Sequence, residues 1–334
     1  MTLNIGIIGA GHMGRTHARH WARVPDVRIA AVYDVLPDTG RALADAHDAA
    51  VYDTLPALLA SNVDVVSVCT PTDTHREITE TALAAGKHVF CEKPLALTVA
   101  DCEAMIQATQ NAGKLLGVGQ VVRFFPEFAN AKRLVDNGAV GNPAAVRTHR
   151  GGDFPRPPTN WYANAHQSGG VLLDLLVHDF DWLLWCFGPV KRVYARALTE
   201  RFASGELPET DYALVTLRHE SGVVSHVEGT WADPGGFSTT FEIAGDAGLL
   251  THDSRRAAPL LQTRRTPTEK AGGVTLPSSP VAANDDPYYR QLLSFTQSIR
   301  ENTPLAVRPE EARDAVAVAV AALESARTSR AVSL

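Results

Sequence analysis

Leu3-Asn4-Ile5-Gly6-Ile7-Ile8-Gly9-Ala10-Gly11-His12-Met13-Gly14 is an apolar, β-branched run that turns directly into Gly-x-Gly-x-x-Gly and then into a helical pattern. The three glycines suit a tight turn, a close approach of backbone to a pyrophosphate, and the packing of helix on strand, while the helix N-terminus attracts phosphate charge. Asp34 follows Gly14 by 20 residues, at the end of a second apolar run, where a carboxylate can accept hydrogen bonds from a ribose diol. Together these signals predict a dinucleotide site made of Gly9, Gly11, His12, Met13, Gly14 and Asp34. A carboxylate there repels a 2′-phosphate and Val35 supplies no cation, so NAD is favoured over NADP, with Arg41 the one nearby side chain that could swing in.

Outward from this stretch, short β-branched runs alternate with helical patterns, the signature of a parallel, doubly wound sheet. Strands are predicted at 3–8, 27–33, 63–68, 87–91 and 115–118, with helices at 12–22, 37–47, 73–85 and 98–111. This gives an α/β Rossmann domain over residues 1–121. Beyond it the pattern changes. A helix at 126–136 ends in Asn137-Gly138, an irregular segment rich in Gly, Pro, Asn and aromatics covers 151–168, and an apolar helix is expected at 170–186. Strand-like runs with turns between them, such as 212–219 and 223–230, then predict a mostly antiparallel sheet and an α+β domain over 122–334. The Pro/Gly/Ser-rich stretch 265–285 reads as a loop, and helices at 287–300 and 309–327 close the chain.

The 334 residues carry 31 Lys and Arg against 37 Asp and Glu, a formal charge of −6, with 45% hydrophobic residues. That balance predicts a soluble globular protein without the basic excess of a nucleic-acid or polybasic membrane binder. Cys69, Cys91, Cys102 and Cys186 form no CxxC pair and read as reduced core thiols. A strand starts at once after Met1 and the longest apolar stretch, Ala315 to Leu323, is too short to span a bilayer, so a cytoplasmic location is expected.

Three further groups carry candidate chemistry. Lys93, in Cys91-Glu92-Lys93-Pro94, falls at the carboxyl end of a strand, the edge where open α/β sheets bind ligands; a lysine there can hold a substrate oxygen, or be a surface residue before a proline turn. In Gly169-Gly170-Val171-Leu172-Leu173-Asp174-Leu175-Leu176-Val177-His178-Asp179-Phe180-Asp181, helical spacing puts Asp174, His178 and Asp181 on one face, with Asp179 elsewhere. His178 is suited to take a proton near neutral pH, and the alternative is an Asp/His pair satisfied within a core. Trp161 and Tyr162, beside Asn160, Asn164, Arg150 and Arg156, could face a cyclic polyol, or Trp161 could anchor the loop. No HxxxH or HExxH spacing supports a metal, and none is expected.

Five segments in order, GIIGAGHMG, VCTPTDTHREI, HVFCEKPLA, SGGVLLDLLVHDFDWL and PLAVRPEEARDAVAVAVAALESA, make the chain resemble the Gfo/Idh/MocA family of NAD(P)-dependent oxidoreductases from residue 3 to the C-terminus. The resemblance implies a Rossmann domain followed by an open-faced sheet through which dimers or tetramers form. It implies Lys93 as the catalytic lysine, with Asp174 and His178 completing the site and Thr70, Pro71, His75 and Glu92 on the cofactor. Arg123, Arg150, Trp161 and Tyr162 are the expected substrate contacts. Within the family the text is most similar to inositol and related sugar dehydrogenases, which implies oxidation of a secondary hydroxyl of a cyclic polyol or sugar. The two arginines of the 150–167 loop leave an anionic or nucleotide sugar as the alternative, and a regulator that binds NAD without turnover as another.

Overall fold

The computed structural model describes residues 2–155, 157, 159–198, 211–233, 236–256, 260–264, 274–277 and 286–334. Arg156 and most of 265–285 lie outside them, although Val274–Pro277, inside the expected loop, is a strand.

The chain divides into two compact units, Met1–Val121 with Asp285–Val316, and Val122–Asn284 with Ala317–Leu334. In the first, β1 (Leu3–Ile8), α1 (His12–Trp21), β2 (Val27–Tyr33), α2 (Pro37–Ala46), β3 (Ala50–Val51), α3 (Leu55–Leu59), β4 (Val65–Val68), α4 (His75–Ala84), β5 (His88–Cys91), α5 (Val99–Ala112) and β6 (Leu116–Val118) follow in sequence. The strands form one parallel sheet in the order β3-β2-β1-β4-β5-β6. Strand order therefore reverses beside β1, and the carboxyl ends of β1 and β4 flank the crevice where such sheets take ligands. Ile5, Ile7, Ile8, Val65, Val66, Val68 and Val89 are fully buried, as strands covered on both faces require.

In the second unit α6 (Pro126–Asp136) precedes β7 (Pro143–Gly151), followed by α7 (Ala165–Ser168), a π-helical turn (Val171–Leu175) and α8 (Val177–Phe187). Then come β8 (Val190–Leu198), β9 (Tyr212–His219), β10 (Val224–Thr230), β11 (Ser238–Gly245), β12 (Gly248–Asp253), β13 (Leu260–Arg264) and β14 (Val274–Pro277). With β15 (Val332–Ser333) they make a sheet in the order β14-β13-β12-β11-β7-β10-β9-β8-β15. Its neighbours are antiparallel except β7 and β10. Ala213, Val215 and Leu217 of β9 are buried inward, and Trp182 of α8 packs against Phe128 and Phe241 with ring centroids 5.2 and 4.9 Å away.

Two expectations are corrected. The second domain is not an uninterrupted 122–334, because α9 (Pro287–Glu301) returns to the first unit. Its Leu292 and Phe295 join the core there, Phe295 lying 5.4 Å from Phe90, and Tyr288 stacks on His20 of α1. α10 (Pro309–Thr328) begins in the first unit and ends in the second. The expected single helix at 170–186 instead opens with a π turn after Gly169 and Gly170, both at positive φ, and the Leu176 N–H reaches back to the Val171 carbonyl. The additional residue in that turn takes Asp174 and His178 out of simple i, i+4 register. No helix among the described residues is long and apolar enough to cross a membrane.

Candidate active site

The β1–α1 loop separates what the chain needs from what a ligand would need. Gly9 has φ +87°, and a Cβ on Gly14 would stand 1.9 Å from the Gly9 carbonyl oxygen, so both glycines are demanded by the fold itself. Gly11 has φ −67° and a Cβ there would meet nothing within 4 Å. Nothing in the protein requires glycine at that position, and the open space is the cradle that a diphosphate would fill. α1 has no side-chain cap at Gly11 and no acidic residue in its first turn, which leaves its N-terminal amides and positive end for an anion. Asp34 accepts the Ala10 N–H at 2.6 Å and the Leu36 N–H at 2.7 Å, bracing the loop while each oxygen keeps a lone pair for a diol. His12 is exposed and Met13 half-buried on the same turn. These residues fit a dinucleotide.

Thr70 and Pro71 follow β4, where the Thr74 hydroxyl lies 2.7 Å from both Thr70 Oγ1 and the Pro71 carbonyl. His75 is buried, its ring nitrogens 2.9 Å from the Pro94 carbonyl and 3.0 Å from the Thr70 carbonyl, and burial lowers its pKa. It ties the Thr70 loop to the Lys93-Pro94 turn from behind, which differs from the direct cofactor contact expected of it. Glu92 is buried after β5, and Lys93 beyond it is half-buried, its peptide bond to Pro94 cis.

In the second unit Asp174 is 5% exposed and His178 is half-buried. Asp181 faces away from the shared role expected of it: both its oxygens take Arg123 Nε and Nη2 at 2.7 Å, with both side chains buried. Asp179 likewise accepts Arg150 Nε at 2.5 Å. Arg123 and Arg150, expected to contact substrate, thus neutralise two buried aspartates on α8. Trp161 and Tyr162 stack at 3.9 Å and are both partly exposed, with Tyr162 edge-on to Trp231 at 6.2 Å. Cys91 and Cys102 are buried and Cys186 half-buried, and desolvation pushes the Cys91 and Cys186 thiols well up and Cys102 to about 12. Among the described residues no group of three His, Cys, Asp or Glu is arranged to hold a metal. His17 of α1, whose ring nitrogens reach Glu92 and Ser67 of β4, is not singled out by the sequence; a histidine on the buried side of the helix that opens at the glycine loop is the available signal.

Residues 3–120 match the model of an oxidoreductase family with an NAD-binding Rossmann fold, and residues 128–251 match the GFO/IDH/MocA C-terminal domain. The myo-inositol 2-dehydrogenase of Thermotoga maritima is 32% identical over 99% of this chain and 98% of its own. The inositol 2-dehydrogenase of Rhizobium meliloti is 28% identical over the whole of both chains. Among solved structures, GenD2 from gentamicin A biosynthesis, in complex with NAD, superposes with a TM-score of 0.88 at 28% identity, covering 100% of this chain and 96% of that one.

Proposed function

The chain belongs to the GFO/IDH/MocA family of NAD-binding oxidoreductases, and on that premise we propose how its residues oxidise a secondary hydroxyl of a cyclic polyol or sugar. The observation that carries the cofactor half is the open space over Gly11 at the uncapped start of α1, braced by Asp34. Gly11, the N-terminal amides of α1 and Asp34 would hold NAD, which would supply the hydride acceptor for the carbinol carbon. Lys93 donates a hydrogen bond to the hydroxyl oxygen and, as a fixed cation, favours loss of its proton. His178 takes that proton, and Asp174 accepts a hydrogen bond from an adjacent hydroxyl, which orients the ring. The partly exposed Trp161 and Tyr162 supply aromatic faces of the kind that pack on the C–H face of a polyol.

The inositol dehydrogenases among the relatives favour a cyclitol. A cytoplasmic homo-oligomer completes the proposal: Tyr194 and Leu198 of β8 and Leu214 of β9 stand exposed on one face of the second sheet, where a second copy could cover them. The test is NADH formation with NAD and NADP in parallel across inositols, aldoses and sugar acids. Turnover of an uncharged polyol with NAD supports the assignment, and turnover confined to acids or nucleotide sugars overturns it.

A further inference from the structure

His17 lies one turn beyond Gly14 on α1 and is wholly buried. Its Nε2–H donates to Glu92 Oε1 across 2.7 Å, and Nδ1 lies 2.7 Å from Ser67 Oγ and 3.3 Å from Cys69 Sγ. Trp21 Nε1–H donates to the same Ser67 oxygen at 3.2 Å. A carboxylate only accepts, so Nε2 carries a proton, and a serine oxygen with two lone pairs can accept N–H from Trp21 and from His17 together. Both ring nitrogens therefore have partners suited to an imidazolium. Burial opposes the charge, but Cys69 and Glu92 outweigh it and raise the His17 pKa from 6.5 to about 10. The further titratable neighbour among the described residues is His20 on the same helix, itself 3.3 Å from Asp286, its pKa lowered chiefly by burial.

Glu92 is gripped on its other sides as well. Its Oε2 accepts the Lys93 backbone N–H at 3.2 Å, and Gly119 lies so close that a Cβ there would come within 2.7 Å of Oε1. Beyond Lys93, His75 holds the Pro94 carbonyl. Lys93 is thus bracketed by two buried histidines, one acting through Glu92 and one through the next residue.

We propose that His17 is a positioning residue: a buried cation on the helix that opens at the dinucleotide loop, which fixes the Glu92 carboxylate and, through it, the backbone that carries Lys93. The inference rests on the role given to Lys93 above. His17→Gln keeps an N–H near Glu92 but removes the charge.

Two readouts on the intact protein test this. The first, thermal unfolding against pH, needs no turnover. A histidine whose pKa is raised in the folded state contributes stability that is complete below 6.5 and is lost as pH rises through about 10. The gap in Tm between wild type and His17→Gln is therefore widest below pH 6.5 and narrows as pH rises toward about 10. The second is the split between kcat and KM. The variant loses at least about tenfold in kcat with KM for NAD within about threefold. Parallel stability curves, or a loss that falls on KM for NAD rather than on kcat, overturn the proposal. Should His17→Gln fail to fold, Ser67→Ala, which removes an Nδ1 partner together with the acceptor of Trp21 Nε1–H, shows the same pH-dependent gap at smaller amplitude above a pH-independent loss from Trp21, and a gap wholly independent of pH overturns the proposal equally. A wild type silent on every polyol refutes the function of Lys93, while the stability curves still decide the charge on His17.

Discussion

Gly11→Ala distinguishes a glycine kept for a ligand from one kept for the fold. At Gly11 the backbone φ of −67° suits alanine and the new Cβ meets no protein atom within 4 Å, so stability should stay within about 0.5 kcal/mol of wild type. The methyl instead projects about 1.5 Å into the space where backbone amides would meet a diphosphate, enough to break one charge-assisted hydrogen bond worth about 1.5–3 kcal/mol. NAD affinity should fall roughly ten- to a hundredfold. Gly14→Ala is the contrasting case: its Cβ would stand 1.9 Å from the Gly9 carbonyl oxygen, about 1.5 Å short of ordinary contact, so α1 and the loop must part. That variant should lose about 1–3 kcal/mol of stability along with cofactor binding. NADH fluorescence titration and thermal unfolding on both proteins provide the assay. A Gly11→Ala protein that binds NADH as wild type does, or that loses stability as Gly14→Ala does, would refute the assignment of this loop.

Arg123→Ala should cost about 3–5 kcal/mol in denaturant unfolding, because it strands Asp181 in the core; a stable variant with only a raised substrate KM would return Arg123 to the substrate. Asp34→Ala removes the acceptor of two backbone N–H groups, so a loss of about 1–2 kcal/mol is expected together with a relative gain in kcat/KM for NADP over NAD. Unchanged cofactor preference would limit Asp34 to bracing the loop. His75, His88 and His219 have pKa values lowered mainly by burial, so the unfolded chain binds more protons and stability is lost as pH falls below 6.5. A melting temperature that rises on acidification from neutrality toward about pH 5 would contradict this.

The Rossmann unit was legible because its determinants are local: a strand, a glycine turn that a Cβ at Gly14 would destroy, and an acidic residue at a fixed distance. The inner strands β9 and β10 of the second sheet and the main helix positions were legible from periodicity in the same way, whereas its edge strands β14 and β15 were not. The side chains that surround the reactive groups were not. Arg123 and Asp181 are 58 residues apart, Arg150 and Asp179 29, and His17 and Glu92 75, so each charge looks available to a ligand until the fold supplies its partner. The π turn escaped notice because apolar residues at 171–176 satisfy an α-helical pattern equally well, while the left-handed Gly169 and Gly170 that precede it change the register. The return of α9 to the first unit depends on Leu292 and Phe295 finding the α1 side of that core, which helix periodicity alone does not specify.

The central claim, a nicotinamide-dependent oxidation that Lys93 promotes at a secondary hydroxyl, is tested most directly by initial rates of NADH formation for wild type and Lys93→Ala on a panel of uncharged cyclic polyols. Wild type should turn over at least one of them with NAD, and Lys93→Ala should retain NADH binding while kcat drops about a hundred- to ten-thousandfold. Near-normal kcat in Lys93→Ala would contradict the account.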